Sequence, residues 1–92
     1  MSRYVALVDG RAGAYGVVVP DLPGCSSGGA TVDEALLNAR NAVSLWADEM
    51  IAQGGEIPVP RCLEAAMQHS DIAAAIGAGA TLALVTLAHN EG

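Results

Sequence analysis

The sequence predicts an α+β domain: a three- to four-stranded, mainly antiparallel sheet with one long helix packed on one face, in the order β-β-β-α-(α)-β. Three observations carry this. Short β-type runs occur at Arg3 to Asp9, Tyr15 to Val19 and Thr81 to Ala88. Between the early and late runs, apolar residues recur at helical spacing from Val32 to Met50. Finally, 92 residues make one small domain, and no linker or low-complexity stretch divides them, so residues 1–92 are expected to fold as one unit.

Taken in order, Arg3 to Asp9 alternates, with Val5 and Leu7 on one face and Tyr4, Ala6 and Val8 on the other. Gly10-Arg11-Ala12-Gly13 signals a hairpin turn into the second strand, Tyr15 to Val19, which Pro20 stops. In Pro20-Asp21-Leu22-Pro23-Gly24-Cys25, each proline locks φ and removes an amide donor, and Gly24 supplies the freedom for a reversal. Cys25 to Ala30 is a short third strand, weakened by its Ser and Gly content. Thr31 and Glu34 form a capping box: the hydroxyl accepts from the Glu34 amide, and the carboxylate returns to the Thr31 amide. The helix they open has a stripe of Val32, Leu36, Ala39, Val43, Trp46 and Met50, and Gly54-Gly55 ends it.

Ile57-Pro58-Val59-Pro60 is an extended crossing segment. A second helix is expected from Arg61 to about Gln68, with Leu63, Ala66 and Met67 as packing residues, and another helical turn from Ser70-Asp71 through Ile76. Thr81 to Ala88 is apolar on both faces, which fits either a sheet centre or an edge that pairs across a dimer.

Composition narrows the function classes. Ten acids face four arginines (Arg3, Arg11, Arg40 and Arg61) and no lysine, a net charge of −6. No basic stripe exists to neutralise phosphates, so direct nucleic-acid binding by this chain is not expected and a basic protein partner is. No apolar leader follows Met1, and the uncharged run from Ile72 to Ala88 is shorter than the roughly 20 apolar residues of a membrane span. A cytoplasmic protein without membrane association is expected. The aromatic residues are Tyr4, Tyr15 and Trp46, with no Phe. So thin a core predicts self-association, as a homodimer or tetramer, because a protomer interface extends it.

No catalytic set, cofactor motif or metal-ligand spacing is evident. Cys25 lacks a neighbouring base and reads as a small buried residue; Cys25 and Cys62 stay reduced in an intracellular chain. Ser26 and Ser27 sit in no nucleophile elbow, Gly28-Gly29 is no phosphate loop, and Cys25, Cys62, His69 and His89 show no ligand-pair spacing. Trp46 reads as core. Asp21, held between two prolines, either caps its own turn or meets a partner.

Tyr4-Val-Ala, the block from Tyr15 through Pro20-Asp21-Leu22-Pro23-Gly24-Cys25, Ser27-Gly, Thr31-x-x-Glu34-Ala35-x-x-Asn38-Ala39 and Ile57-Pro58-x-Pro60 appear in one order. In these residues the chain resembles the N-terminal domain of HicB-type antitoxins. The resemblance implies a partial RNase H-like fold. It also implies a binding module that sequesters a small basic mRNA-cleaving toxin, of HicA type, by covering its active site. Asp9, Asp21 and Glu34 are the residues expected to face that partner. Many members continue into a ribbon-helix-helix or helix-turn-helix segment where this chain stops at His89-Asn90-Glu91-Gly92, so no C-terminal DNA-binding segment is expected here. Two rivals stand beside this reading. One is a small RNase H-like hydrolase built on Asp9 and Asp21; the other is an oligomerisation module without a toxin.

Overall fold

The computed structural model describes residues 2–87; the expected end of the last strand at Ala88, and His89, lie outside the described residues. Four strands form one antiparallel sheet: β1 (Ser2–Arg11), β2 (Ala14–Val18), β3 (Ser26–Gly29) and β4 (Thr81–Leu87), ordered β3-β2-β1-β4. Three helices complete the domain: α1 (Val32–Ala52), α2 (Leu63–Gln68) and α3 (Ser70–Gly77). The expected α+β class and element order hold.

β1 is one of the two inner strands, and its two faces feed two separate cores. Tyr4, Ala6 and Val8 join Val17, Val19 and Leu22 beneath α1. Val5 and Leu7 face the opposite way, onto Ala66 of α2 and Ile72 of α3. Both faces of β1 are covered, which is why Tyr4 to Val8 form an unbroken apolar and buried run. The expectation of a helix on one face is extended by α3, which packs on the other.

The last strand is not the sheet centre. Among the described residues β4 pairs with β1 alone, from Ser2↔Leu87 to Val8↔Thr81, and its other side is an edge. Its two-faced apolar pattern arises because α1 covers Val85 and Leu87 while Leu82 packs beside α3; Leu84 remains 46 % exposed.

The α1 stripe is rotated from the expected one. Ala35, Ala39, Val43 and Ala47 form the buried line, with Leu36, Trp46 and Met50 half-buried beside it and Val32 exposed. Alanines let the helix lie close to the sheet, and the larger residues fill its flanks. The close approach extends to β3: a Cβ on Gly29 would come within 2.7 Å of the Ala35 amide nitrogen. The cap holds with one change. The Glu34 amide donates to Thr31 Oγ1 at 3.0 Å, but the Glu34 carboxylate accepts from the Ala30 amide at 2.9 Å, one residue before the expected donor.

α2 starts at Leu63, two residues after the expected Arg61, because Cys62 is its N-cap and takes the Ala65 amide on Sγ. Of its expected packing residues, Ala66 alone is buried; Leu63 and Met67 are exposed, since so short a helix turns one residue inward. α3 begins at the expected Ser70, where His69 Nδ1 accepts from the Asp71 amide.

Candidate functional site

The strand-exit block lies at the end of the sheet where β2 leaves it. A tight loop closes on itself: Val19 donates to the Cys25 carbonyl, Leu22 to Val19 and Cys25 to Leu22. Gly24 turns the chain with φ of +81°, in the region glycine favours. Backbone carbonyls thus meet the amides that Asp21 was expected to cap, and its carboxylate is released for another purpose. Oδ2 accepts from the Arg61 backbone amide at 2.9 Å, and Oδ1 takes Nε and Nη2 of the same guanidinium. The Asp21 side chain is 7 % exposed and that of Arg61 32 %. Turn capping is therefore replaced by a long-range ion pair, bridging residues 40 apart in sequence.

Two further bonds tie the same region. Tyr4, buried in the sheet, donates its hydroxyl to the Pro58 carbonyl at 2.6 Å. Burial, and secondarily the charge of Asp21, push the Tyr4 phenol above its usual pKa of 10.0. Trp46 donates Nε1–H to the Pro23 carbonyl at 2.9 Å. Trp46 leans on the main core yet is only partly buried, which corrects its reading as a core residue. Its indole forms one wall of a groove of about 410 Å³, completed by Pro23, Glu49, Met50, Gln53 and Pro58.

Asp9 and Glu34 lie elsewhere. Asp9 pairs in register with Gly16, near the β1–β2 hairpin, whereas Asp21 lies near Tyr4, on whose phenol its charge acts. At about 3.4 Å per strand residue, Asp9 and Tyr4 are roughly 17 Å apart along β1. The two carboxylates of the hydrolase reading are thus not brought together. Glu34 is near the hairpin end too, since the Gly13 amide donates to the Ala30 carbonyl beside it. Glu34 is engaged in the cap; Asp9 is exposed and has no bonded partner among the described residues. No three His, Cys, Asp or Glu residues among those described converge on a common point. Cys25 is buried and its thiol pKa is raised by that burial, while Cys62 is exposed; both are free thiols.

The functional feature that sequence reasoning missed is the groove. Its signal was present in Trp46, Met50 and the two prolines, but the stripe reading assigned both helix residues to the interior. The Asp21–Arg61 pair had no local signal at all.

Similar proteins support the architecture. A crystal structure of the N-terminal domain of the Burkholderia pseudomallei antitoxin HicB matches with a TM-score of 0.72 and 30 % identity, over 91 % of this chain and 95 % of that one. The crystal structure of the Burkholderia pseudomallei antitoxin HicB itself matches with a TM-score of 0.75 and 32 % identity, over 94 % of this chain and 63 % of that one. A chain of a HicA3 and HicB3 toxin-antitoxin complex shares the fold at 19 % identity, with a TM-score of 0.73 over 91 % of this chain and 95 % of that one. An uncharacterized 14.9 kDa protein of Haemophilus phage HP1, from the rep-hol intergenic region, is 44 % identical over 50 residues. That match takes in 54 % of this chain and 38 % of the phage protein. A family model described as a HicB-like antitoxin of a bacterial toxin-antitoxin system matches residues 4–91. With that match spanning both cores and all the tethers just described, the chain belongs to the HicB-like antitoxin family.

Proposed function

We propose that this domain sequesters a small basic mRNA-cleaving toxin of HicA type by covering its active site, and does so in the cytoplasm. The observation that carries this reading is the family match over residues 4–91. The net charge of −6 supports it, because an RNA-cleaving toxin must attract phosphates and so presents a basic face. Asp9, Asp21 and Glu34 contribute to the partner-facing field. Asp9, without an internal partner among the described residues, meets a toxin cation directly. Asp21 and Glu34 act by fixing the loops that flank the contact. No helix of the described residues is long and apolar enough to cross a membrane. The same charge disfavours DNA or RNA as a direct ligand of this domain.

The open edge of β4 favours self-association as a second property of the same module. Its seven residues, Thr81–Leu87, contain no charge and no proline, the usual guards of an exposed edge. Two copies that repel elsewhere can meet there without juxtaposing charges.

The test is to express the chain with the product of any toxin-sized gene beside its own. Inhibition of that protein's RNA cleavage, together with a stable complex on sizing, is the expected result. Cleavage that continues at saturating concentrations of this chain would overturn the reading.

A further inference from the structure

We propose that the groove beside Trp46 is a receptor for one cationic side chain, an arginine or lysine, of the protein partner. The inference deepens the antitoxin reading and takes the basic character of the partner from it.

The groove holds about 410 Å³, ample for a guanidinium and its aliphatic stem, and lies at the surface between α1, the strand-exit loop and the crossing segment. Its wall chemistry is specific. The indole N–H of Trp46 is already committed to the Pro23 carbonyl, which fixes the ring and leaves its π face as what it offers. Among aromatic rings, tryptophan attracts a cation over that face most strongly. Pro23, Pro58 and Met50 supply apolar contact for methylenes, and a thioether adapts to either side chain. Glu49 is the one charged side chain among the six that line the groove. Its carboxylate has a weak 3.4 Å contact from Gln53 Nε2, so charge neutralisation there is incomplete. An aromatic face, an apolar slot and a carboxylate at the rim complement an arginine or lysine. An anionic ligand would be repelled, and a purely apolar one would leave Glu49 desolvated and unpaired.

The groove is also held in shape before any partner arrives. The Asp21–Arg61 pair and the Tyr4–Pro58 bond fix the crossing segment against the sheet, and the Trp46–Pro23 bond fixes the loop against α1. Such fixing reduces the ordering cost on binding.

The experiment titrates N-acetyl-arginine methylamide, and separately its neutral isostere N-acetyl-citrulline methylamide, into the intact chain. The fluorescence of the single tryptophan and its indole N–H resonance report occupancy. A saturable response to the arginine probe is expected, with citrulline binding about threefold to tenfold more weakly. Glu49→Gln, at an exposed position, should bring the arginine probe down to the citrulline level. Absence of a saturable response, equal response to both probes, or indifference to Glu49→Gln would each overturn the site. With a toxin in hand, equal affinity of wild type and Glu49→Gln would overturn the groove as its contact and leave the antitoxin reading standing. Conversely, failure of any neighbouring toxin to bind wild type would refute the antitoxin reading, while the probe titration still decides the site.

Discussion

At the scale of single residues, the Asp21–Arg61 pair changes what a substitution should do. A turn-capping aspartate tolerates Asn, which keeps an acceptor oxygen. Here the carboxylate receives a backbone amide and a guanidinium while almost fully enclosed, so one uncharged oxygen cannot replace it. Asp21→Asn and Arg61→Ala should each lower stability by about 1.5–3 kcal/mol, the range for hydrogen bonds to charged groups, as read by urea unfolding. Equal stability of Asp21→Asn and wild type would return the residue to a simple turn role. Tyr4 gives a pH test. Its folded pKa is raised, so folding favours the neutral phenol. That contribution is fully present below the unfolded value near 10 and is lost as pH rises toward and through the folded value. Tyr4→Phe should therefore lose about 1 kcal/mol at neutral pH, from the bond to Pro58, yet show a shallower fall in stability above pH 10. The cysteines make a third check: iodoacetamide should label the exposed Cys62 quickly and the buried Cys25 only on unfolding, as read by mass spectrometry.

At the scale of elements, local rules made most of the fold legible. Short apolar runs bounded by turn residues located β1, β2 and β4 to within two residues at the described ends, and Thr31 located the start of α1. What was not legible were the pairings between elements distant in sequence. Nothing in Thr81–Leu87 reveals that its neighbour is β1 or that its other side is open, because both arrangements suit an apolar strand. Likewise the helical stripe gave the right face of α1 but misjudged its centre, since Ala35 and Ala47 are too small to weigh in a pattern of large residues. The open edge has its own test. If β4 pairs with a second copy, Leu84→Glu should shift the protein toward monomer in sedimentation at micromolar concentration, because it places carboxylates along the shared seam. Leu84 is largely outside the core, so the fold should survive. A wild-type chain that is monomeric over that range would remove the edge as an interface.

At the scale of the whole molecule, charge governs association. A chain of net charge −6 should bind a basic toxin with an on-rate that falls steeply as salt rises, whereas dissociation should change little. Stopped-flow measurements at two salt concentrations decide this; an on-rate indifferent to salt would place the contact outside the chain's acidic field. By the same token, the chain should fail to shift DNA of its own upstream region at moderate salt. The candidate site was only partly legible from sequence. The chemistry of Asp21, Trp46 and Pro58 could be named from their types, but their convergence depends on contacts spanning 23 to 54 residues. The longest of them exists because the crossing segment runs beside β1, a placement that no local pattern encodes.

The position of β1 has a consequence for biogenesis. It leaves the ribosome before every other described element, and its local neighbour β2 follows at once. Its other neighbour, β4, is the last element described, so β1 stays half-paired until β4 has been made. The nascent chain therefore carries an exposed apolar edge while β3 and the three described helices are made, the condition under which chaperones and proteases find substrates. Pausing late in the message would lengthen that interval. Pausing early, before β1 and β2 are both out, would leave it unchanged.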